Sequence, residues 1–218
     1  MRVSSALRLG VGQGPHPAEE SGVGAPDGHC DIVRPGMRIY TRTGDDGTTG
    51  LLYGGRVSKD SAVIAANGAV DEAQAALGVV RAQVEKGSEL DDLLVLLEKD
   101  LYVLMAELAT APEKRSKLKP GVSLVTEDMV NALENSIDEV AARFPPINDF
   151  VIPGHDPVSA SLDVARTTIR RAERESLSAA PTGSLVVRYL NRLSDLAWAL
   201  ARWQEHGESL ISRKARGR

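Results

Sequence analysis

The segment that decides the fold is SASLDVARTTIRRAERE, residues 159–175. Its apolar residues recur at helical spacing and form one narrow stripe, made of Leu162, Ala165, Ile169 and Ala172. Arg166, Arg170 and Glu173 lie beside that stripe rather than opposite it. A guanidinium at the edge of a packed surface can bind a carboxylate or a phosphate with reduced solvent screening. Two interpretations are open: a solvated face with intrahelical ion pairs such as Arg170 with Glu173, or an anion-binding surface.

Composition restricts the class of protein. The chain has 218 residues, enough for one well-buried domain, and a formal net charge of −4. We therefore expect neither a general nucleic-acid binder nor a basic membrane anchor, and no apolar run is long enough to span a membrane. The single cysteine, Cys30, excludes a disulfide framework and favours a reducing, cytoplasmic location. Aromatic residues make up only 4%, which favours an all-α helical bundle.

Both ends of the chain differ in character from the middle. Residues 1–36 are rich in glycine, proline and serine without periodicity, so we expect a disordered leader, and Met37 is a candidate start. Residues 208–218 are expected to form a frayed basic tail. The predicted domain therefore occupies residues 37–207.

The alanine-rich segment 59–85 is predicted to be a helix with two small or apolar faces. One face carries Ala62, Ala66, Ala69, Ala73, Ala76 and Val80, and the other carries Ile64, Gly68, Asp71, Ala75 and Gly78. A helix of this kind has to be covered twice, which predicts a second subunit against one face. Asp71 on that face should be paired, and an arginine from another chain is a natural partner.

Three more helices are predicted. Ser88 is the expected N-cap of a leucine-rich core helix, Thr126 that of a helix stopped by Pro145 and Pro146, and the last helix spans residues 184–205. Residues 113–120 are expected to form a charged, mobile linker. On the last helix, Asn191 and Asp195 form a polar pair that serves either structural hydrogen bonds or a ligand.

A glycine- and threonine-rich loop, TRTGDDGTTG at residues 41–50, precedes the first helix. It is neither a Walker A loop nor a Rossmann fingerprint. Two interpretations are open: a hairpin turn around Asp46 and Gly47, or a loop whose amides wrap an anion.

Several chemistries are excluded by the residues present. No Glu-x-x-His pair exists, so a di-iron bundle is not expected, and we predict no protein metal site. His155 and His206 are the only histidines outside the leader, and no nucleophile triad can be assembled. The loop with Arg42 and the arginine helix suit a polyphosphate, and the nucleophile of any reaction must then belong to a substrate or cofactor. Phe150 is either a core plug or a side chain presented at the mouth of a site.

Five segments, in this order, resemble the signature of the PduO-type ATP:cob(I)alamin adenosyltransferases. They are YTRTGDDGTTG at 40–50, VDE at 70–72, FVIPG at 150–154, ARTTIRRAER at 165–174 and YLNRLSD at 189–195. The resemblance implies a five-helix bundle with ferritin-like up-and-down packing that assembles as a homotrimer, with active sites between subunits. It also implies transfer of the 5′-deoxyadenosyl group of ATP, accompanied by Mg²⁺, to the cobalt of cob(I)alamin, with a reductase as a candidate partner that supplies this corrinoid.

The same resemblance assigns residue roles. Arg170 and Arg171 meet phosphate oxygens, Asn191 contacts the nucleotide and Glu173 has a positioning role. Arg166 pairs with Asp71 of the neighbouring subunit, and Phe150 lies under the corrin ring. The triphosphate is wrapped by the loop residues Thr41, Arg42, Thr43, Gly44, Asp45, Gly47, Thr48 and Thr49. The sequence departs from the family at Arg42, where many relatives have lysine, and at His155, where a small residue is usual.

The alternative hypothesis is a non-catalytic ATP-binding or signalling bundle that kept the phosphate loop and lost cobalamin. Phe150 discriminates between the two, because a pure nucleotide binder has no need of an aromatic side chain there. A scaffold without any ligand is the third hypothesis.

Overall fold

The computed structural model describes residues 39–212. The predicted leader, Met37, Cys30 and residues 213–218 lie outside this range. The described part is mostly helical. Its elements are β1 (Thr48–Gly50), β2 (Arg56–Ser58), α1 (Ala62–Arg81), α2 (Glu89–Leu108), a 3₁₀ helix (Pro112–Lys117), α3 (Glu127–Ala141), α4 (Pro157–Ala179) and α5 (Val186–Gln204).

Helix α4, which contains the segment 159–175, packs between α1 and α5. Its predicted apolar stripe is confirmed, because Leu162, Ala165, Ile169 and Ala172 are all fully buried. On the outer sides of this arrangement, α2 packs on α1 and α3 packs on α5. The core is thus formed by apolar stripes at helical spacing, and it sets the rotation of α4 so that its arginines flank the packed surface.

The two faces of α1 differ as the sequence indicated. Ala66, Ala69 and Ala73 are buried against the rest of the chain, whereas Asp71 and Ala75 are exposed on the other face. The middle of the second face, around Asp71, is therefore left uncovered by its own chain, whereas Ile64 and Gly78 toward its ends are partly buried.

Local sequence signals fix the starts of three helices. The Ser88 hydroxyl accepts from the Asp91 amide, and the Thr126 hydroxyl accepts from the Met129 amide, which confirms both predicted N-caps. At α4 the Asp156 carboxylate accepts from the amides of Val158 (2.8 Å) and Ser159 (3.0 Å), and the Ser159 hydroxyl oxygen accepts in turn from the Asp156 amide. This capping box makes α4 begin two residues before the quoted segment.

Replacing the Asp156 cap should destabilise the fold in a pH-dependent way. Burial raises the pKa of Asp156, but hydrogen bonds from Ser159 and Val158 outweigh it and hold the pKa below the ordinary value of 3.8. The stabilisation is therefore complete above pH 3.8 and is lost as the pH falls through the lowered pKa. We expect Asp156→Ala to cost about 1 kcal/mol at pH 7, or roughly 2–4 °C in melting temperature, with the difference vanishing in acid. Asp156→Asn, which keeps a cap, is the control; an equal loss for both variants would contradict the prediction.

The all-α prediction misses one small element, because β1 and β2 form an antiparallel hairpin. The hairpin turn lies at residues 51–55, where Gly54 and Gly55 adopt positive φ, and not around Asp46 and Gly47 as one interpretation proposed. Asp46 instead accepts from the Thr48 amide and hydroxyl, which turns the chain just before β1.

The predicted mobile linker at 113–120 is partly structured. Residues Pro112–Lys117 form the 3₁₀ helix, and Arg115 donates to the fully buried Glu107 at 2.9 Å. Glu107 also accepts from the Val125 amide and the Ser184 hydroxyl. A buried carboxylate needs such partners, and these bonds fix the linker to the end of α2.

Residues 208–212, the described part of the predicted basic tail, lie against the connector between α3 and α4. The Ile152 amide donates to the Leu210 carbonyl (2.8 Å), and the Ser212 amide donates to the Phe150 carbonyl (2.9 Å). This pairing ties residues 210–212 to the backbone around Phe150.

Candidate active site

The arginines of α4 have different surroundings. Arg170 and Arg174 are exposed, while Arg166 and Arg171 are partly buried. Arg171 forms an ion pair with Glu72 of α1. No ion pair joins Arg170 to Glu173 within residues 39–212, so the intrahelical pair of the solvated-face interpretation is not formed.

Glu173 instead belongs to a cluster between α4 and α5. Asn191 Nδ2 donates to Glu173 Oε1 at 2.9 Å, and Arg192 Nη1 donates to Asn191 Oδ1 at 2.6 Å. Burial raises the pKa of the nearby Asp195, and Glu173 adds to that rise, while the charges of Arg192 and Arg170 lower it. Three sequence-predicted site residues, Arg170, Glu173 and Asn191, therefore lie in one electrostatically coupled group. The polar pair Asn191 and Asp195 is part of this group rather than a self-contained bond.

The loop at 41–49 is held mainly by bonds within the loop and from Arg56. The hydroxyls of Thr41 and Thr43 lie 2.8 Å apart, and Thr48 and Thr49 belong to β1, paired with Ser58 and Val57 of β2. The Thr48 amide and hydroxyl hold the pKa of Asp46 below its ordinary value. Two further loop positions have positive φ: Arg42 at 62°, with its guanidinium 5.3 Å from the Tyr40 ring centre, and Gly47 at 82°. Thr41, Thr43 and Asp45 are exposed.

Two cations beside this loop were missed by the sequence analysis. Arg56 donates to the Thr43 carbonyl (2.6 Å) and, through Nε, to the Thr48 hydroxyl (2.9 Å). Lys59 Nζ lies 3.0 Å from the position of a Cβ at Gly44, and the Thr48 carbonyl lies 2.9 Å from it, so only glycine fits there without displacement. The sequence could have indicated both residues, because Arg56 lies in β2 and Lys59 directly follows that strand. With Arg42 they give this region three cations against the two loop carboxylates, Asp45 and Asp46, and Arg56 lies 3.7 Å from Asp46.

Phe150 is 84% exposed, so the core-plug interpretation is wrong. Its amide donates to the Asp149 carboxylate, and its carbonyl accepts from Ser212. The ring is therefore presented outward from a backbone held on both sides. His155, farther along the connector, is exposed and lies 3.8 Å from the Glu208 carboxylate.

A buried ion network lies below this connector. Arg202, on α5, is only 2% exposed. Its Nη2 donates to Asp163 Oδ2 at 2.6 Å and to Glu205 Oε1 at 2.9 Å. Asp163 also accepts from Arg166 Nε at 3.1 Å. Arg202 lines a cavity of about 350 Å³ whose wall is formed mainly by residues 144–149 and 207–211.

The remaining predicted contacts are not made within one chain. Across residues 39–212, no hydrogen bond or ion pair joins the loop 41–49 to α4. Asp71 is exposed on α1, and the partner of Arg166 here is Asp163 of its own helix. Arg170, Asp71 and Phe150 are thus all exposed, and no hydrogen bond or ion pair within residues 39–212 joins any two of them.

In the described part of the chain, no group of three or more His, Cys, Asp or Glu side chains is arranged to hold a metal ion. Nor is any helix there long and apolar enough to cross a bilayer. The arrangement offers guanidiniums, threonine hydroxyls and loop amides, which bind anionic oxygens. Fold and site together define a mostly helical protein whose described residues offer guanidiniums and a threonine-rich loop as donors to an anionic ligand.

Comparison with known proteins gives the family. The sequence profile of the cobalamin adenosyltransferases matches residues 39–204, and the chain belongs to this family. The chain is 43% identical to a corrinoid adenosyltransferase of Citrobacter freundii over 77% of its own length and 95% of the relative. It is 42% identical to a corrinoid adenosyltransferase of Mycobacterium bovis, over 76% of this chain and 87% of that protein.

Solved structures agree with the family assignment. A variant of the PduO-type ATP:corrinoid adenosyltransferase from Lactobacillus reuteri, complexed with cobalamin and ATP, superposes with a TM-score of 0.72 at 28% identity. The match covers 81% of this chain and 97% of that one. A second variant of the same enzyme, complexed with ATP, gives a TM-score of 0.71 at 28% identity, over 80% of this chain and 100% of the other.

Proposed function

We propose that this chain is a corrinoid adenosyltransferase, which transfers the 5′-deoxyadenosyl group of ATP to the cobalt of cob(I)alamin and releases triphosphate. The observation that carries the proposal is a family match over residues 39–204 that contains exposed arginines and, within residues 39–212, no hydrogen-bonded Ser-His-Asp set. Such a site suits a reaction in which the substrate itself supplies the attacking atom.

The chemistry needs alignment and charge stabilisation. The electron pair of Co(I) forms the bond to C5′, while the bond between C5′ and its oxygen breaks and its electrons leave on the triphosphate. The protein has to hold the two substrates in line and to stabilise the charge that develops on the leaving group. Arginines serve the second task without any proton transfer.

Each predicted site residue has a place in this proposal. Arg170, exposed beside α5, binds phosphate oxygens, and Arg171 joins it when its pair with Glu72 is exchanged for phosphate. The loop at 41–49, with Arg56 and Lys59 added here, wraps the triphosphate. Asn191, fixed by Glu173, contacts the nucleotide.

Phe150 is proposed to lie against the corrin face, because its ring is outward-facing on a backbone held by Asp149 and Ser212. An apolar ring at that face excludes water and the lower axial ligand. Low coordination of cobalt favours the reduced state that the reaction requires.

We further propose a five-helix bundle that assembles as a homotrimer with active sites between subunits. The uncovered face of α1, with Asp71 exposed on it, supports this assembly. Arg166 has Nε bound to Asp163, which leaves its terminal amino groups for Asp71 of the neighbouring subunit.

Asp71→Asn and Arg166→Ala should impair turnover to a similar extent and non-additively, because they remove two ends of one contact. The double variant should be no worse than the more damaged single variant by more than about twofold. The measurement is kcat/KM for all three variants, together with their molar mass in solution by light scattering. Losses that multiply in the double variant would show that the two side chains do not meet.

Magnesium enters the proposal only with the nucleotide. Mg²⁺ would be held mainly by phosphate oxygens and water and would neutralise part of the triphosphate charge. A cytoplasmic location and a reductase that supplies cob(I)alamin complete the proposed setting.

A ligand-dependent melting experiment separates the hypotheses. A ligand that binds only the native state raises the melting temperature by mass action. The proposed enzyme predicts a rise with ATP and Mg²⁺ and a rise with the corrinoid, each at saturating concentration. A rise with ATP alone would favour the non-catalytic nucleotide-binding bundle, and no rise with either ligand would favour the scaffold.

A further inference from the structure

Four side chains from three helices form one hydrogen-bonded row, which runs from Glu134 through Arg192 and Asn191 to Glu173. Arg192 Nε donates to Glu134 Oε1 at 2.9 Å, which anchors the guanidinium to α3. Arg192 Nη1 donates to Asn191 Oδ1 at 2.6 Å, and Asn191 Nδ2 donates to Glu173 Oε1 on α4 at 2.9 Å. Asn191 thus accepts from a cation on one side and donates to a carboxylate on the other.

These two hydrogen bonds fix the orientation of the Asn191 side-chain amide. A primary amide has nearly the same shape when rotated by half a turn, so packing alone does not select one orientation. Here a rotated amide would turn its N–H groups toward the Arg192 guanidinium and its oxygen toward the Glu173 carboxylate, and both contacts would be repulsive. In the observed orientation Asn191 keeps a second N–H and a second oxygen lone pair available for a ligand.

We propose that Arg192 is a positioning residue for nucleotide binding, which acts by locking the Asn191 amide in its ligand-ready orientation. The inference rests on the proposed function, which places Asn191 against the nucleotide. The forked guanidinium is required because it reaches Glu134 and Asn191 at the same time, which a single ammonium group does not do with the same geometry.

The chain offers a matched control one turn earlier on the same face of α5. Arg188 also pairs with acidic residues of α3, at 2.8 Å from Glu127 and 4.0 Å from Glu134, and is about as exposed as Arg192. It makes no bond to Asn191 among the described residues. If Arg192 only links α3 to α5, replacing either arginine should have the same effect on ATP affinity.

The experiment compares Arg192→Met and Arg188→Met in the full-length protein. ATP affinity is measured by calorimetry with ATP and Mg²⁺, and KM for ATP and for cob(I)alamin by turnover. We expect Arg192→Met to weaken ATP binding about tenfold, as expected for one misoriented hydrogen bond, and to leave the corrinoid KM within twofold. Arg188→Met should stay within twofold of the native protein in both. The pair Asn191→Ala with Arg192→Met should bind ATP no more weakly than Asn191→Ala alone.

Equal effects of the two methionine variants on ATP affinity, or full additivity with Asn191→Ala, would overturn the inference while leaving the proposed function intact. If the native protein does not bind ATP, the proposed function fails and this inference fails with it. Should Arg192→Met not fold, Glu134→Gln is the substitute: it loosens the far end of Arg192 and should weaken ATP binding about two- to threefold. No change in that variant would also count against the proposal.

Discussion

Arg170→Ala is expected to lower kcat/KM roughly 30- to 1,000-fold, which corresponds to a loss of about 2–4 kcal/mol of transition-state stabilisation. The reason is that Arg170 is exposed beside the Asn191 cluster and has no ion-pair partner within residues 39–212, so its charge is available for the leaving triphosphate. A charge-assisted contact that strengthens as the triphosphate departs is lost mainly from kcat.

Arg174→Ala is the matched control for this variant. Arg174 lies one turn farther along the same helix and is also exposed, but no role is proposed for it. Turnover by Arg174→Ala should remain within about twofold of the native rate, and both variants should melt like the native protein, because exposed arginines contribute little to stability. Near-native turnover by Arg170→Ala, or equal losses in the two variants, would refute the phosphate role.

Arg202→Met is expected to have the largest effect on stability, about 3–5 kcal/mol, or roughly 6–20 °C in melting temperature. The substitution leaves the fully buried Glu205 without a guanidinium partner and leaves Asp163, 5% exposed, with Arg166 as its only one. An uncompensated buried charge costs far more than a lost surface pair.

The control for this effect is again Arg188→Met, whose ion pair with Glu127 is solvent-exposed and should cost less than 1 kcal/mol. Adding Asp163→Asn and Glu205→Gln to Arg202→Met should recover part of the lost free energy of unfolding, because both buried carboxylate charges are then removed. Denaturation is measured at one protein concentration, since assembly makes melting concentration-dependent. An Arg202→Met protein as stable as the native one would contradict the buried network.

The sequence predicted the fold where the signal is local. The stripe from Leu162 to Ala172 repeats within one helix, and the caps Ser88 and Thr126 act on amides three residues away. Such patterns are readable because neighbours in the chain decide them. The hairpin turn was placed at the wrong residues because its glycines, Gly54 and Gly55, follow the more conspicuous Asp46-Gly47 pair.

The contacts that escaped prediction join residues far apart in sequence. No local pattern marks Arg202 as buried, and only the fold brings it against Asp163, 39 residues away in the chain. The same holds for Asn191, whose partner is Glu173 on another helix and not Asp195 on its own. Arg192 was overlooked because an arginine next to an asparagine has no distinctive spacing. The proposed contact of Asp71 with Arg166 depends on a second chain, which one sequence and one chain cannot display.

The most direct test of the central claim is a turnover assay. The purified protein is incubated without oxygen with ATP, Mg²⁺ and chemically reduced cobalamin, while the absorption spectrum and the released triphosphate are followed. We expect the cob(I)alamin spectrum to convert to that of adenosylcobalamin, with one triphosphate formed per corrinoid. Conversion by the Arg170→Ala variant should be strongly reduced. A protein that binds ATP but leaves the corrinoid spectrum unchanged would contradict the claim that this chain is an adenosyltransferase.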